Sequence, residues 1–249
     1  MEETTIRECT TIEQFDRCVA LQREAFGLPD LELSPRRHLI VSHQAGGWTL
    51  GAFVADRMVG FVHHLAAVRG LEIFGYSHVM AVAKDYQNKG VGARLKWAQR
   101  ERALGEGRKL IKWTWDPMLV RNAHFNLNRL GATVENYLDD FYGIDYGSDE
   151  RLELPSDRLS ATWKIDSDRV HALAKGIEAP FEGKRVATIA VPADWNALVK
   201  RDAERARDEQ TRVREEFKRA FADKLICAGL ERGETESRYL LFEPGERGF

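Results

Sequence analysis

The stretch Met80-Ala81-Val82-Ala83-Lys84-Asp85-Tyr86-Gln87-Asn88-Lys89-Gly90-Val91-Gly92-Ala93 carries the clearest chemical signal in the 249-residue chain. An apolar run suited to a strand leads into a short polar loop with two glycines. The second glycine falls in the first turn of a helix. Glycines let a backbone and a ligand approach closely, and the free N–H groups of a helix start attract an anion. Lys89 adds positive charge beside them, so a phosphate or pyrophosphate is the ligand to expect. A dinucleotide fingerprint would need a small residue where Leu95 stands, and no Walker Gly-Lys-Ser/Thr string occurs. On the letters alone, a plain strand-to-helix turn remains the competing reading.

Proton-transfer candidates lie nearby. His78 sits two residues before Met80, and its native pKa range suits a general base; a half-buried strand histidine bonded to a carbonyl is the alternative. His63 and His64 are adjacent on one strand and point to opposite faces, so at most one reaches a cleft. His124 reads as a helix-surface residue. Tyr142 is either a proton donor to a leaving group or part of an aromatic core. Asp116 and Arg121 follow a strand end, where α/β sites gather, and are candidates to hold substrate. Arg121 or Arg158 could bind a substrate carboxylate, with Asp157-Arg158 as an internal ion pair the other reading.

These residues need elements to position them. Thr5 to Glu8 reads as a strand, and Thr11 caps a helix whose Ile12, Phe15, Val19 and Phe26 suit one face. Ser34-Pro35 starts a second helix. Trp48 to Ala55 and Met58 to Ala66 form a hairpin, and Phe74 to Val82 a further strand. Val91 to Leu104 is a helix with Leu95 and Ala98 inward, and Lys109 to Trp115 a strand. Arg121 to Leu130 is a helix ending at Gly131, followed by a strand from Ala132 to Tyr142. A polar, turn-rich stretch with Gly143, Gly147 and Pro155 precedes a strand over Ser160 to Ile165. A βαββ unit closes the chain: Arg185 to Val191, one long helix from Asp194 to Ala222, Leu225 to Leu230 and Tyr239 to Phe242. On that helix Trp195, Leu198, Val199, Ala203, Ala206, Val213, Phe217 and Phe221 form an apolar stripe, interrupted by Gln210, that packs on the strands. The expected class is α/β with a mixed, largely antiparallel sheet flanked by helices, in two domains, 1–165 and 166–249.

Composition narrows the function classes. Thirty-seven Lys and Arg against 39 Asp and Glu give a net charge of -2, which disfavours a nucleic-acid partner. Signs alternate along the last helix, as on a solvated face. No apolar run approaches the roughly 20 residues of a membrane helix, and Met1-Glu2-Glu3-Thr4-Thr5 lacks a signal-peptide core. Cys9, Cys18 and Cys227 are scattered with no CxxC, so neither a disulfide framework nor a metal site is expected. A cytoplasmic protein follows.

Gln87, Gly90 and Gly92 meet the Gln/Arg-x-x-Gly-x-Gly/Ala signature, and the sequence thereby resembles the GNAT superfamily of coenzyme-A-dependent N-acyltransferases. The resemblance implies a GNAT-type sheet, with acetyl-CoA or succinyl-CoA as cosubstrate and no metal. Backbone groups of Met80, Ala81 and Val82 would pair with the pantetheine arm as an added strand. Amides of Asn88, Lys89, Gly90, Val91, Gly92 and Ala93 would hold the pyrophosphate, and Asn122 would lie further along the coenzyme. Thr114-Trp115-Asp116-Pro117, Arg121-Asn122-Ala123, Phe125-Asn126, Leu130-Gly131-Ala132, Phe141-Tyr142-Gly143 and Leu154-Pro155-Ser156-Asp157-Arg158-Leu159 with Trp163 are similar to a branch with an added C-terminal half-domain. Some members of it resemble amino-acid N-succinyltransferases. Where many GNAT enzymes carry an acidic tyrosine this chain has Leu127, and the strand from Lys112 to Trp115 lacks the common glutamate. The implied reaction is direct attack of a small-molecule amine, such as an amino acid's, on the thioester. A catalytically idle CoA-binding regulator and a protein-lysine acetyltransferase are the alternatives, and edge strands of such a sheet could pair into a homodimer.

Overall fold

The computed structural model describes residues 3–143 and 154–244. Met1-Glu2, the stretch 144–153 with Gly147, and 245–249 lie outside the described residues. Among the described residues, ten strands and seven α-helices follow one another in a mixed, mostly antiparallel fold, as the order of elements predicts. The chain divides into two compact units, Met1–Ile111 and Lys112–Phe249. The expected second domain, 166–249, is one part of the second unit.

In the first unit β1 (Thr4–Glu8), β2 (Trp48–Val54), β3 (Arg57–Arg69) and β4 (Glu72–Val82) lie side by side in sequence order, each antiparallel to the next. Helix α1 (Ile12–Phe26) begins with a reciprocal capping box between Thr11 and Gln14 and ends on Gly27 at φ 66°, which fixes both ends. Its inward face is Phe15, Cys18, Leu21 and Gln22. Ile12 and Phe26, expected on that face, are exposed because they sit on the terminal turns. Helix α2 (Arg36–Gln44) follows Ser34-Pro35. Phe15, Cys18, Leu21, Leu39, Phe53, Phe61 and Ala81 share one core.

The β3–β4 ladder changes register within this unit. His63 pairs with Val79 while His64 pairs with Ser77, so His78 is an extra residue on β4. Such a bulge interrupts the alternation of side chains. Ser77 accepts a hydrogen bond from Lys96 on α3 (Val91–Gly105), whereas His78 and Val79 both turn toward α1 and α2.

The second unit starts within β5 (Leu110–Trp115) and holds α4 (Val120–His124), β6 (Thr133–Leu138), β7 (Arg158–Lys164), α5 (Asp168–Ala174), β8 (Arg185–Pro192), α6 (Trp195–Arg201), α7 (Ala203–Ala222), β9 (Ile226–Glu231) and β10 (Glu236–Phe242). Their order is β5-β7-β6-β9-β10-β8. The helix expected over Arg121 to Leu130 is a short α segment continued by a π turn, Phe125–Arg129. The strand expected to reach Tyr142 stops at Leu138.

The long closing helix is two helices. Asp202 adopts an extended conformation and its carboxylate accepts from the Arg205 amide, and an aspartate that satisfies a helix-start N–H in this way ends one helix as it begins the next. The apolar stripe of α7 packs as expected, with Phe217 against Tyr137 of β6 and Tyr239 of β10. Gln210, which interrupts the stripe, is buried and donates to the Pro155 carbonyl at 2.8 Å.

Arg169 on α5 fastens this unit together. Its guanidinium donates to the carbonyls of Ala179, Leu127, Gly131 and Ala228 at 3.0–3.3 Å. Burial lowers its pKa to about 10. Asn128 adds a second fastening, exchanging two hydrogen bonds with the Leu230 backbone. Replacing Arg169 with Ala strands several carbonyls at once and should cost about 3 kcal/mol. We expect thermal unfolding to show a drop of roughly 6–12 °C. Arg169→Lys keeps the charge but not the planar fork and should recover less than half of that loss; full recovery would contradict the clamp.

Candidate functional site

The glycine loop is built by two left-handed residues. After β4 ends at Val82, a single 3-10 turn over Lys84–Tyr86 leads to Asn88 at φ 62° and Gly90 at φ 81°. Gly90 is the N-cap of α3, and no side chain caps the first-turn amides. A helix start left this way offers N–H groups to an anion. Gln87, the first residue of the signature, donates from Nε2 to the Val82 carbonyl at 3.1 Å. Its role is therefore to close the loop. A Cβ at Gly90 would meet nothing within 4 Å and one at Gly92 would meet only the Met80 methyl at 3.6 Å. Gly90 is required by its φ, while Gly92 keeps the ground above the helix start open.

Cations gather beside this loop. Thr4, Arg57, Asp85, Tyr86, Lys89, Val91 and Arg94 line a cleft of about 360 Å³. Arg57 and Lys89 lie 5.8 and 5.4 Å from the centre of the Tyr86 ring. Upstream, Ala81 is buried in the core while Met80 and Val82 are half-buried. Of the residues expected to bind one ligand, Met80 to Val82 end β4 and Gln87 to Ala93 form the loop into α3, while Asn122 lies on α4 in the second unit.

On the other face of β4 the bulge presents His78. Its Nε2 lies 2.8 Å from the Ser34 hydroxyl, not against a carbonyl. The rings of His38 and His63 lie 5.2 and 6.1 Å away, centre to centre. One face of His78 stays open to solvent. Partial desolvation lowers its pKa, and the neighbouring His38 lowers it further.

Beneath it, His63 is fully buried with both ring nitrogens bonded. Ser42 donates its one proton to the Leu39 carbonyl at 2.8 Å, so at 2.8 Å from Ser42 the His63 Nε2 must be the donor. A neutral ring then accepts at Nδ1 from Thr49, 2.8 Å away. Thr49 has spent its proton and accepts from His43 Nε2 at 3.1 Å. Every donor–acceptor role in this chain follows from the single carbonyl at its end. Burial, reinforced by the surrounding imidazoles, drives the His63 pKa down to about 3.

His64 points to the opposite face, as its parity predicts, and stacks on Trp48 at 4.1 Å. Gln99 donates to its Nδ1 at 3.3 Å and accepts from Lys96. Burial lowers Lys96 to about 7 and, with nearby cations, His64 to about 3. The inward face of α3 is therefore half polar, with Lys96, Gln99 and Arg100 buried beside Val91, Leu95 and Ala103.

The remaining candidates belong to the second unit. Asp116 accepts from the Met118 amide at 2.8 Å and shapes the turn after β5. Arg121 and Asn122 are exposed on α4, and Leu127 is fully buried. Tyr142 is 61% exposed, with Arg158 over its ring and its hydroxyl 3.4 Å from Thr114. The core role considered for it does not hold. The Asp157-Arg158 side-chain pair is also replaced: the buried Asp157 carboxylate receives both Arg214 and Tyr137, while the Arg158 guanidinium donates to the Asp157 backbone carbonyl at 2.9 Å. Among the described residues no cluster of His, Cys, Asp or Glu is arranged to hold a metal ion. No described helix is long and apolar enough to cross a membrane.

No family model matches the chain, and no curated protein matches it. Solved structures do. A GNAT-family protein from Desulfovibrio desulfuricans superposes with TM-score 0.54 at 17% identity, over 66% of this chain and 99% of that one. The ribosomal-protein-S18-alanine N-acetyltransferase of Escherichia coli gives 0.54 at 13%, over 66% and 96%. The fold is that of the GNAT acetyltransferases. A GNAT acetyltransferase from Elizabethkingia anophelis, solved with acetyl-CoA bound, gives 0.50 at 16%, over 65% and 97%. About a third of this chain lies outside each superposition, and none of these comparisons carries the succinyltransferase-like branch.

Ser34, His38, Ser42 and Thr49 carry no site signal in the sequence. Each joins the histidines only through contacts between distant segments, and only Ser34, as a helix start, has any local mark.

This geometry makes stability depend on pH. His63 and His64 are held neutral in the fold but gain protons once unfolded, so stability should fall as pH drops below about 6.5 and continue falling toward 3. The slope is about 1.4 kcal/mol per pH unit for each histidine. Urea midpoints at pH 7 and pH 5 measure it, His63→Gln should flatten it, and a flat wild-type profile would contradict the buried neutral rings. For the loop, Gly90→Ala forces an L-residue to positive φ at about 1 kcal/mol, seen as a lowered melting temperature. Gly92→Ala, whose methyl would meet only the Met80 methyl at 3.6 Å, should leave melting unchanged.

Proposed function

We propose that this protein is an acyl-CoA-dependent N-acyltransferase that moves an acyl group, acetyl or succinyl, to the amine of a small molecule such as an amino acid. The observation that carries the reading is the uncapped, left-handed Asn88–Gly90 start of α3 directly after β4, in a GNAT fold. In this reading backbone groups of Met80 to Val82 hold the pantetheine arm, the amides from Asn88 to Ala93 hold the pyrophosphate, and Asn122 lies further along the coenzyme. A neighbour with acetyl-CoA bound supports acetyl as the donor.

His78 is the general base of this proposal. Its lowered pKa keeps the ring neutral near pH 7, ready to take a proton from the acceptor. The neutral amine attacks the thioester carbonyl carbon, the C–N bond forms, the C–S bond breaks, and the leaving thiolate is protonated. Tyr142, exposed in the second unit, is the donor proposed for that last step and regains its proton from solvent. Asp116 and Arg121 are the residues proposed to meet the acceptor. Cys9, Cys18 and Cys227 are all buried, and burial raises the thiol of Cys227 while a bond to Cys9 and burial raise that of Cys18. Thiols in that state are poor acyl carriers, which supports direct attack in a ternary complex.

Thiol release from acetyl-CoA and succinyl-CoA, against amino acids, polyamines and lysine peptides, tests the reading. Turnover with a free amine is expected, and His78→Gln should lower kcat by about 10²-fold or more. CoA binding without any turnover would replace it with the regulatory reading. Turnover on peptides alone would replace it with protein acetylation. An unchanged His78→Gln rate would remove the histidine from the chemistry.

A further inference from the structure

The ring nitrogen that His78 would use as a base already has a neighbour. The Nε2 of that ring faces Ser34 Oγ at 2.8 Å. Ser34 is itself held from two sides. The buried Gln22 side chain accepts from the Ser34 amide at 2.9 Å and donates to the Ser34 carbonyl at 3.1 Å. Pro35 then fixes the chain into α2. A loop residue whose N–H and C=O are both tied to one buried amide has little freedom left, and its hydroxyl is aimed by the backbone. Neither Gln22 nor the Ser34 geometry is needed to start α2, since Pro35 occupies the N-cap and no side chain caps that helix.

We infer that Ser34 is a catalytic relay, its hydroxyl accepting the acceptor's N–H and passing its own proton to His78 Nε2. This rests on the acyltransferase reading above. In the step, the amine N–H bond breaks as a bond to Ser34 Oγ forms, and the Oγ–H bond breaks as Nε2–H forms. Serine ends as it began, and the imidazolium carries the proton to solvent through the open face of the ring. The arrangement requires neutral His78 to carry its proton on Nδ1. His38, its ring 5.2 Å from that of His78, disfavours a lasting charge on His78, while His63 stays neutral below.

Two measurements test the relay. Imidazole ¹⁵N shifts of His78 should show the Nδ1–H tautomer in the wild type; an Nε2–H tautomer would mean that Ser34 accepts from the ring and would overturn the relay. In the thiol-release assay, Ser34→Ala should lower kcat/KM for the acceptor by about 10²-fold with CoA binding by calorimetry unchanged. Ser34→Thr, which keeps the hydroxyl, should restore most of the rate. A Ser34→Ala rate within error of wild type overturns the relay and leaves the transferase standing. Acylated Ser34, trapped with acyl-CoA alone and found by mass spectrometry, overturns it in favour of a covalent route. CoA binding without wild-type turnover removes the transferase reading and the relay with it.

Discussion

The extra residue in β4 is the constraint on which the first unit depends. A strand alternates its side chains strictly, so without the bulge His78 and Val79 would point to opposite faces. With it, Ser77 reaches Lys96 under α3, His78 and Val79 both face α1 and α2, and Ala81 arrives in the core with Phe15 and Leu39. Met80, between Val79 and Ala81, is left beside the first turn of α3. One inserted residue thus sets the direction of the histidine and the phase of the segment that enters the glycine loop. The ladder loses regular pairing at that point, and the Ser34 bond and the burial of Val79 and Ala81 offset the loss.

Grouping the imidazoles of His38, His63 and His78 side by side would be costly if all of them charged together. The structure avoids this by fixing one of them. His63 is wired from Thr49 to Ser42 and so to a carbonyl that can only accept. A hydroxyl chain that ends on a carbonyl has nowhere to deliver a proton, so it orients the ring and keeps it neutral without conducting. That leaves His38 and His78, both near solvent. The buried ring supplies shape and desolvation, and the two outer rings stay within reach of water.

Local patterns are readable wherever short-range physics decides the outcome. The Thr11 cap, the β2–β3 hairpin, the glycine loop and the closing strands all follow from spacing and turn chemistry. The failures share a different cause. Asp202 reads as one acid among many on a charged helix, yet its bond to the Arg205 amide breaks that helix. Adjacency pairs Arg158 with Asp157, whereas the partner comes from α7, 57 residues away. The polar half of the inner face of α3 hides from any hydrophobic periodicity, because Lys96 and Gln99 are buried by their hydrogen bonds to Ser77 and His64. Neither the bulge nor the hydroxyl partners of the histidines leaves a mark on neighbouring letters, since register is set by the partner strand.

Net charge argues against a polyanion, and the structure refines what that argument covers. Much of the positive charge of α7 is neutralised where it stands, Arg212 by Glu209 and Glu216 and Arg214 by Asp157. Around the glycine loop the pattern differs, with Arg57 and Lys89 leaning on the Tyr86 ring and Arg94 lining the same cleft as Asp85. An exposed cation over an aromatic face is held by about 0.5–1 kcal/mol, less than a charge-assisted bond to phosphate provides. The ring therefore keeps these side chains close to the loop without committing them. A near-neutral chain can in this way concentrate positive potential beside one helix start.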